Sequence, residues 1–451
     1  MNASKRLVII SAGLACALAI VGMSVLGWYA TRPGPMDFVA RGGVASTPNM
    51  NSATGTPADF KDQDIISRGR YLTAAADCQA CHTVQGGKPF AGGRPFATPF
   101  GTLYSPNITS DASTGIGHWS DSEFLAALHG GVGRGGKRLY PAFPYASYTY
   151  LSDADSLAIK AYLFSLTPAV STAPENTLRF PFNQRWLMSF WSLLFNPDRR
   201  FEPVTTQSVE WNRGAYLVEG LGHCGECHTS RNKFQGLDNR LKFSGSLVDG
   251  WNAYNITADP QSGLGAWSDV QLEQYLATGH AQGRGTAGGP MAKVVELSLS
   301  HLTPSDIHAI ATYLRSVPPI KSASSPAVRD TTAAAQPVLK VSVGDQRDLG
   351  QKIFGQACVG CHTWSGHNTL LIRAQLTGSR ALNDPSGLNA AQMVMYGTAS
   401  QNSDGTFVMP GFASTYSNEE IAAVVNYATE RFGVAHSTLA PSQIQSMRLS
   451  R

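Results

Sequence analysis

The longest apolar stretch of the chain lies near its N-terminus and runs from Leu7 to Ala30. It follows the basic pair Lys5-Arg6, and as a helix it would extend roughly 36 Å, enough to cross a ~30 Å hydrocarbon core. We therefore expect residues 1–30 to form a transmembrane anchor whose N-terminus stays cytoplasmic. A cleaved signal peptide is the alternative, although no small-residue cleavage site follows the run.

Beyond the anchor, apolar residues are grouped in short helical patterns. A short helix is predicted to lead into Cys78, and another is expected over residues 156–165. Ser120 stands three residues before Glu123, which is the pattern of a capping box at the start of a helix. Ser417 is expected to cap the last helix in the same way.

Part of the chain is duplicated. The Asn-Ile-Thr of residues 107–109 and the Trp-Ser-Asp of residues 119–121 return at 255–257 and 267–269. Matches at corresponding offsets indicate two copies of one structural unit.

Linkers rich in Pro, Ser, Thr and Ala separate the patterned stretches. The predicted segments are an anchor (1–30), a linker (31–63), a first domain (64–167), an aromatic-rich linker (168–209), a second domain (210–317), a linker (318–343), a third domain (344–434) and a tail (435–451). The aromatic-rich linker is expected either to pack between domains or to present an apolar face to a partner or to the bilayer.

The pentapeptide Cys-x-x-Cys-His occurs three times, at 78–82, 224–228 and 358–362, and uses six of the seven cysteines. It is the attachment signature of c-type haem: two thiols bond the vinyl groups of one porphyrin edge, and the next residue places its imidazole under the iron. The predicted covalent ligands are Cys78, Cys81, Cys224, Cys227, Cys358 and Cys361. The predicted proximal ligands are His82, His228 and His362. We therefore predict three covalently bound haem c groups and an all-α fold of three tandem class-I-like cytochrome c domains behind one transmembrane helix.

Other interpretations of the cysteines explain less. A zinc site would place two Cys-x-x-Cys pairs in one small unit, whereas these are more than a hundred residues apart. Thioredoxin-like pairs occur in a βαβ context that is not visible here. Structural disulfides would not require a histidine directly after each second cysteine.

The second axial ligand of each iron is expected from a loop well after the motif. Met409, followed by Pro410, is predicted to fill this role in the third domain, and Met291, preceded by Pro290, in the second. The first domain has Phe143 in the corresponding place. Its haem is expected to be five-coordinate or to use another ligand, with His118 and His129 as the nearest candidates.

The composition is that of a globular protein, with 43% apolar and 15% charged residues. The formal net charge of +4 omits the acidic haem propionates, and no basic run is interleaved with aromatic residues. Nucleic acid is therefore not an expected partner.

The residues from about 64 to 433 resemble the tri-haem cytochrome c subunits of bacterial membrane-bound dehydrogenases. The similarity is strongest over residues 210–224 and 288–291. Residues 141–145, with Phe143 at their centre, are most similar to the cytochromes that accompany molybdopterin and iron–sulfur hydroxylases, including a membrane-bound aldehyde dehydrogenase.

This resemblance implies an electron-transfer subunit that passes electrons from a periplasmic dehydrogenase to ubiquinone. It implies a large molybdopterin subunit and a small [2Fe–2S] subunit as partners, at the bacterial inner membrane with the haem domains facing the periplasm. The cytochrome subunit of a PQQ alcohol or FAD sugar or gluconate dehydrogenase is the first alternative. A stand-alone electron carrier, a haem enzyme with an open first site and an oxidase subunit are the others.

Overall fold

The structure is a computed structural model. It describes residues 22–24, 27, 33–38, 53–322, 345–402 and 405–449. The chain divides into a unit of residues 1–40 and a compact unit of residues 41–451.

The predicted transmembrane helix requires correction. Among the described residues, no helix is both long enough and apolar enough to cross a bilayer. Crossing takes about 20 consecutive apolar residues in one helix, and only residues 22–24 and 27 of the predicted anchor are described as helical. The rest of residues 1–30 lies outside the described part of the chain.

The second unit is built from short helices. In chain order they are α1 Ile65–Ala75, α2 Cys78–His82, α3 Asp121–Gly130, α4 Tyr145–Tyr148, α5 Asp153–Ser165, α6 Leu187–Phe195, α7 Val209–Ala215, α8 Gly225–His228, α9 Asp269–Thr278, α10 Gly289–Leu297, α11 Pro304–Ser316, α12 Asp345–Ile353, α13 Val359–His362, α14 Leu388–Tyr396, α15 Asn418–Phe432 and α16 Pro441–Leu449. The capping boxes expected at Ser120 and Ser417 are both present.

The all-α class is also wrong, because the described residues contain five two-stranded antiparallel sheets. Their strands are β1 Pro95–Thr98, β2 Gly101–Tyr104, β3 Val132–Gly133, β4 Lys137–Arg138, β5 Ser246–Val248, β6 Trp251–Ala253, β7 His280–Ala281, β8 Gly285–Thr286, β9 Thr398–Asn402 and β10 Gly405–Met409. Strands of two to five residues are too short to produce a recognisable alternation of apolar and polar positions.

One helix pair is repeated in all three predicted domains: α1 packs on α5, α7 on α11 and α12 on α15. A glycine lies at each crossing. A Cβ atom built at Gly69, Gly214 or Gly350 would lie 2.0, 1.9 or 2.3 Å from the carbonyl oxygen of Ala158, Ala309 or Ala423. Only a hydrogen atom fits there, so glycine allows the two backbones of each pair to touch.

The first two predicted domains exchange hydrogen bonds between equivalent residues of the repeat. The hydroxyl of Tyr71 donates to Asp306 of the second domain at 2.6 Å, and the hydroxyl of Tyr216 donates to Asp155 of the first domain at 2.6 Å. All four side chains are buried. The two duplicated units therefore contact each other in an approximately symmetric way. The tyrosine of each unit donates a hydrogen bond to the carboxylate of the other.

Both shared carboxylates also have a basic partner in their own domain. Arg213 forms a bidentate pair with Asp306, with both N···O distances at 2.7 Å. Arg68 occupies the equivalent place beside Asp155 at 3.8 Å, where the backbone N–H of Gly55 donates to the same carboxylate. Each buried charge therefore has a cation and further donors, as a stable buried ion pair requires.

The third predicted domain is joined to the second by polar contacts of a different kind. The side-chain amide of Asn252 donates to Asp384 at 2.8 Å, and its backbone N–H donates to Asn389. Arg380 donates to the carbonyl oxygen of Ser262 and lies over the ring of Tyr254. These contacts fix the third domain against the strands and loops of the second.

We predict that Tyr216→Phe lowers the free energy of unfolding by about 1–3 kcal/mol, because it removes one donor from a buried carboxylate. The measurement is urea unfolding of the haem-loaded chain. The control is Tyr275→Phe, whose hydroxyl has no hydrogen-bond partner among the described residues and should change stability little. Equal losses in the two variants would contradict the proposed role of the cross-domain hydrogen bond.

Candidate haem sites

The three motifs adopt the same local structure. Each folds into a single helical turn, α2, α8 or α13, that ends at the motif histidine. The π-helical stretches Tyr216–Leu221 and Phe354–Cys358 lead into the second and third turns. None of the six described cysteines forms a disulfide, so the disulfide interpretation has no support in this part of the chain.

Each motif histidine is held by the same contact. Its Nδ1 lies within hydrogen-bond distance of a backbone carbonyl oxygen, at 2.8 Å from Pro106 for His82, 2.6 Å from Tyr254 for His228 and 2.6 Å from Ala374 for His362. A carbonyl can only accept, so Nδ1 carries the proton and Nε2 keeps its lone pair. Burial lowers the pKa of all three imidazoles, which favours the neutral form that binds a metal.

Five of the six motif cysteines are half-buried, and Cys361 is exposed. Burial raises the pKa of Cys81 to about 11 and that of Cys224 and Cys227 to about 12. Zinc and thiolate-based redox sites need a deprotonated sulfur. No group of three or more His, Cys, Asp or Glu side chains in the described ranges could hold a metal ion.

These observations fit haem c. Each site offers two thiols, one helical turn and an oriented imidazole whose Nε2 has no hydrogen-bond partner among the described residues. The hydrogen bond on the opposite ring nitrogen is the kind of second contact that fixes the orientation of a metal-bound histidine. Haem bound there would supply one-electron redox chemistry, and the chain's own contribution is to hold and orient it.

The two predicted methionine ligands lie at element ends. Met291 is half-buried in the first turn of α10, after Gly289, which has a φ of +52° and lies against the Trp251 ring. Met409 is half-buried at the end of β10, paired with Thr398. Their role as distal ligands stays a prediction.

The first domain has no methionine in the corresponding loop. Phe143 is half-buried there, with its ring 5.5 Å from that of Tyr148. Of the two candidate histidines, His118 is exposed. His129 is buried with Nε2 at 3.1 Å from the Ser156 hydroxyl, Nδ1 at 3.7 Å from Asp153, and a pKa that burial lowers to about 4. Both of its ring nitrogens therefore face protein groups.

The buried Tyr148 and the half-buried His223 join the first motif to the second. The Tyr148 hydroxyl donates to the carbonyl oxygen of Ala76 at 2.6 Å, and the His223 ring hydrogen-bonds to the same residue's backbone. The two rings are 5.5 Å apart at 76°. Ala76 precedes Cys78 by two residues and His223 directly precedes Cys224, so this contact couples the two attachment turns. In the sequence, the only local sign of this contact is the histidine placed directly before the second motif.

Asp77, directly before the first motif, is an unusual buried carboxyl group. It has a φ of +49°, and its Oδ1 has no hydrogen-bond partner in the described part of the chain. Burial raises its pKa to about 8, and the nearby positive charge of Arg94 offsets only part of that effect. No local pattern in the sequence marks this residue as buried.

Comparison with known protein families identifies two cytochrome c regions. Residues 66–167 match the family model for cytochrome c. Residues 345–427 match the model for subunit III of cbb3-type cytochrome c oxidase. These ranges contain the first and third motifs.

Three relatives align over most of the chain. The gluconate 2-dehydrogenase cytochrome c subunit of Pantoea cypripedii is 36% identical over 408 residues, which cover 86% of this chain and 91% of that protein. The fructose dehydrogenase cytochrome subunit of Gluconobacter japonicus is 36% identical over 87% of this chain and 84% of its own length. One of the subunits of the nicotinate dehydrogenase of Pseudomonas putida is 41% identical over 82% of this chain, and the aligned part spans 30% of that longer protein.

We predict that Asp77 makes stability depend on pH. Its folded-state pKa of about 8 lies above its reference value of 3.8, so the folded chain keeps a proton that the unfolded chain releases. The free energy of unfolding should therefore fall as the pH rises from about 4 to about 8.

Asp77→Asn should make that decline shallower, since asparagine also tolerates positive φ and does not titrate. Chemical unfolding of the haem-loaded chain across this pH range measures the slope. Parallel curves for the two proteins would contradict the prediction.

Proposed function

Because this chain belongs to the family of cytochrome c subunits of membrane-bound dehydrogenases, we propose that it carries three covalent haem c groups and delivers electrons from a partner dehydrogenase to ubiquinone. Covalently bound haem c and a role as the electron-transfer subunit of a dehydrogenase complex follow from the family itself. The number of haems, the partner and the acceptor are our proposal.

The observation that carries the proposal is the repeated histidine geometry. Three motif histidines separated in the chain each hydrogen-bond a backbone carbonyl through Nδ1, which leaves the lone pair on Nε2 available to a metal. Three chance occurrences of Cys-x-x-Cys-His would not share this second contact. We therefore assign one haem to each motif.

Different residues would form the different bonds to each haem. The two cysteines of each motif would form the thioether bonds, and His82, His228 and His362 would ligate iron through Nε2. Met291 and Met409 would supply the opposite ligands of the second and third haems. Substrate oxidation belongs to the partner subunit, because this chain contributes electron carriers and no substrate chemistry of its own.

For the partner we favour a large molybdopterin subunit with a small [2Fe–2S] subunit, oxidising an aldehyde on the periplasmic side of the bacterial inner membrane. The sequence of residues 141–145, with Phe143 in place of methionine, supports this choice. The second candidate is a PQQ alcohol or FAD sugar or gluconate dehydrogenase, and the names of the gluconate, fructose and alcohol dehydrogenase relatives favour it.

For the first haem we propose a five-coordinate iron or a ligand other than a local methionine. Phe143 offers no ligand atom, and His129 is buried with its Nε2 within hydrogen-bond distance of the Ser156 hydroxyl. This site would then differ from the other two in its reaction with external ligands.

We predict that Met291→Leu increases the number of carbon monoxide molecules bound per reduced chain by one, because it frees one iron position. The number of bound molecules is measured by titrating the reduced chain with carbon monoxide and recording difference spectra. Met395→Leu is the control, since Met395 is 1% exposed in the core of the third domain and should leave the count unchanged. If carbon monoxide binds none of the haems in the unaltered protein and all show methionine ligation, the proposal for the first haem is wrong.

The function itself is tested by purifying the complex from detergent-solubilised membranes and analysing the co-migrating subunits and cofactors. Molybdenum with an iron–sulfur subunit is the expected result. Flavin or PQQ would instead support the second candidate. A haem protein without a dehydrogenase partner would contradict the proposed function.

A further inference from the structure

The aromatic-rich linker contains a helix that exposes apolar side chains in a stripe. Trp186, which precedes α6, and Phe190 and Leu193 within it are spaced four and three residues apart, so they lie on one face. Their exposed fractions are 60%, 60% and 71%. Large apolar side chains grouped in this way on a surface indicate an interaction site.

The opposite face of α6 is packed against the protein. The ring of Trp191 lies 5.7 Å from that of Tyr145, edge to face, and its Nε1–H donates to the carbonyl oxygen of Phe234 at 2.9 Å. Phe195 lies so close to Gly236 that a Cβ there would come within 2.2 Å of its ring. The helix is therefore fixed in place, and the interpretation of this linker as inter-domain packing describes only one of its faces.

Three further aromatic residues near α6 in the sequence or in the structure are exposed. Phe180 is 79% exposed and precedes α6 by a few residues, and Phe234, whose carbonyl binds Trp191, is 69% exposed. Phe182 is 41% exposed, with its ring 4.1 Å from that of Phe100. We call the six residues Phe180, Phe182, Trp186, Phe190, Leu193 and Phe234 the apolar face.

The charge around the apolar face is net positive. Residues 175–200 contain four arginines, Arg179, Arg185, Arg199 and Arg200, and two acidic residues, Glu175 and Asp198. Arg185 lies over the ring of Tyr140 and donates to the backbone carbonyl oxygen of Arg138. Lys233 is exposed next to Phe234. Exposed aromatic and aliphatic residues with a basic border match an anionic lipid surface, where rings enter the headgroup layer and cations meet phosphate.

We propose that the apolar face is a peripheral docking surface for an anionic phospholipid bilayer, with α6 lying along the membrane plane. The packing contact shows which part of the protein this brings to the lipid. Trp191 contacts Tyr145 at the start of α4 in the first domain and donates to Phe234 of the second domain, so both duplicated domains are held against the membrane. This deepens the proposed function and rests on it in one respect: the first two domains would be the ones closest to membrane quinone.

The docking surface is tested on the full haem-loaded chain with a single introduced thiol, in a Cys16→Ser background. Leu193→Cys places the thiol on the apolar face, and Val270→Cys places the matched control on α9, at a side chain that is 73% exposed. The rate at which each thiol reacts with a charged maleimide is measured with and without vesicles that contain phosphatidylglycerol. We expect these vesicles to slow labelling at 193 about tenfold or more, because the thiol enters the lipid interface, and to leave 270 unchanged.

Equal reactivity at 193 with and without vesicles would overturn the inference. Protection at 193 that requires the dehydrogenase partner and not lipid would also overturn it, because the apolar face would then be a protein interface. Protection that is equally strong with purely zwitterionic vesicles would overturn the assignment of an anionic surface.

A second measurement separates this inference from the proposed function. Phe190→Glu combined with Leu193→Glu should reduce turnover of the complex with long-chain ubiquinone in vesicles and leave turnover with soluble ferricyanide unchanged, while Val270→Glu should affect neither. If the double variant reduces quinone as fast as the unaltered complex, the docking inference fails. If the unaltered complex reduces no quinone at all, the proposed function fails instead.

Discussion

The hydrogen bond between each motif histidine and a distant backbone carbonyl is the contact on which the haem sites depend. The acceptors follow their histidines by 24, 26 and 12 residues, so the intervening chain must return to the motif before the imidazole is oriented. In the first two domains the returning chain includes the hairpins β1–β2 and β5–β6. A single helical turn cannot orient the histidine alone, and the loops are therefore as much a part of the site as the motif itself.

The paired carboxylates explain how the duplicated domains hold together. Asp155 and Asp306 each accept from a tyrosine of the other domain, so neither buried charge is fully satisfied within its own unit. The same packing brings Tyr148 against His223, which sets the two attachment turns next to one another. The third domain is joined through Asn252 and Arg380 instead.

The sequence alone was sufficient to predict those features whose chemistry or conformation is determined by a short local pattern. The Cys-x-x-Cys-His motifs, the duplication and the capping boxes at Ser120 and Ser417 could all be recognised directly. The hairpins could not, because pairs of strands this short depend on glycine turns and on tertiary packing. The Tyr216–Asp155 contact joins residues 61 positions apart, and no local pattern specifies such a partner. For the aromatic-rich linker, packing and exposure were both compatible with the sequence, and only the contacts of Trp191 distinguish the covered side of α6 from the exposed one.

The central claim is that each of the three motifs holds its own covalent haem. The most direct measurement is the intact mass of the denatured mature chain, because thioether-linked haem stays attached when the fold is lost. A mass excess of three haem groups, reduced by one when Cys224 and Cys227 are both replaced by alanine, is the predicted result. An excess of two or fewer in the unaltered chain would contradict the claim.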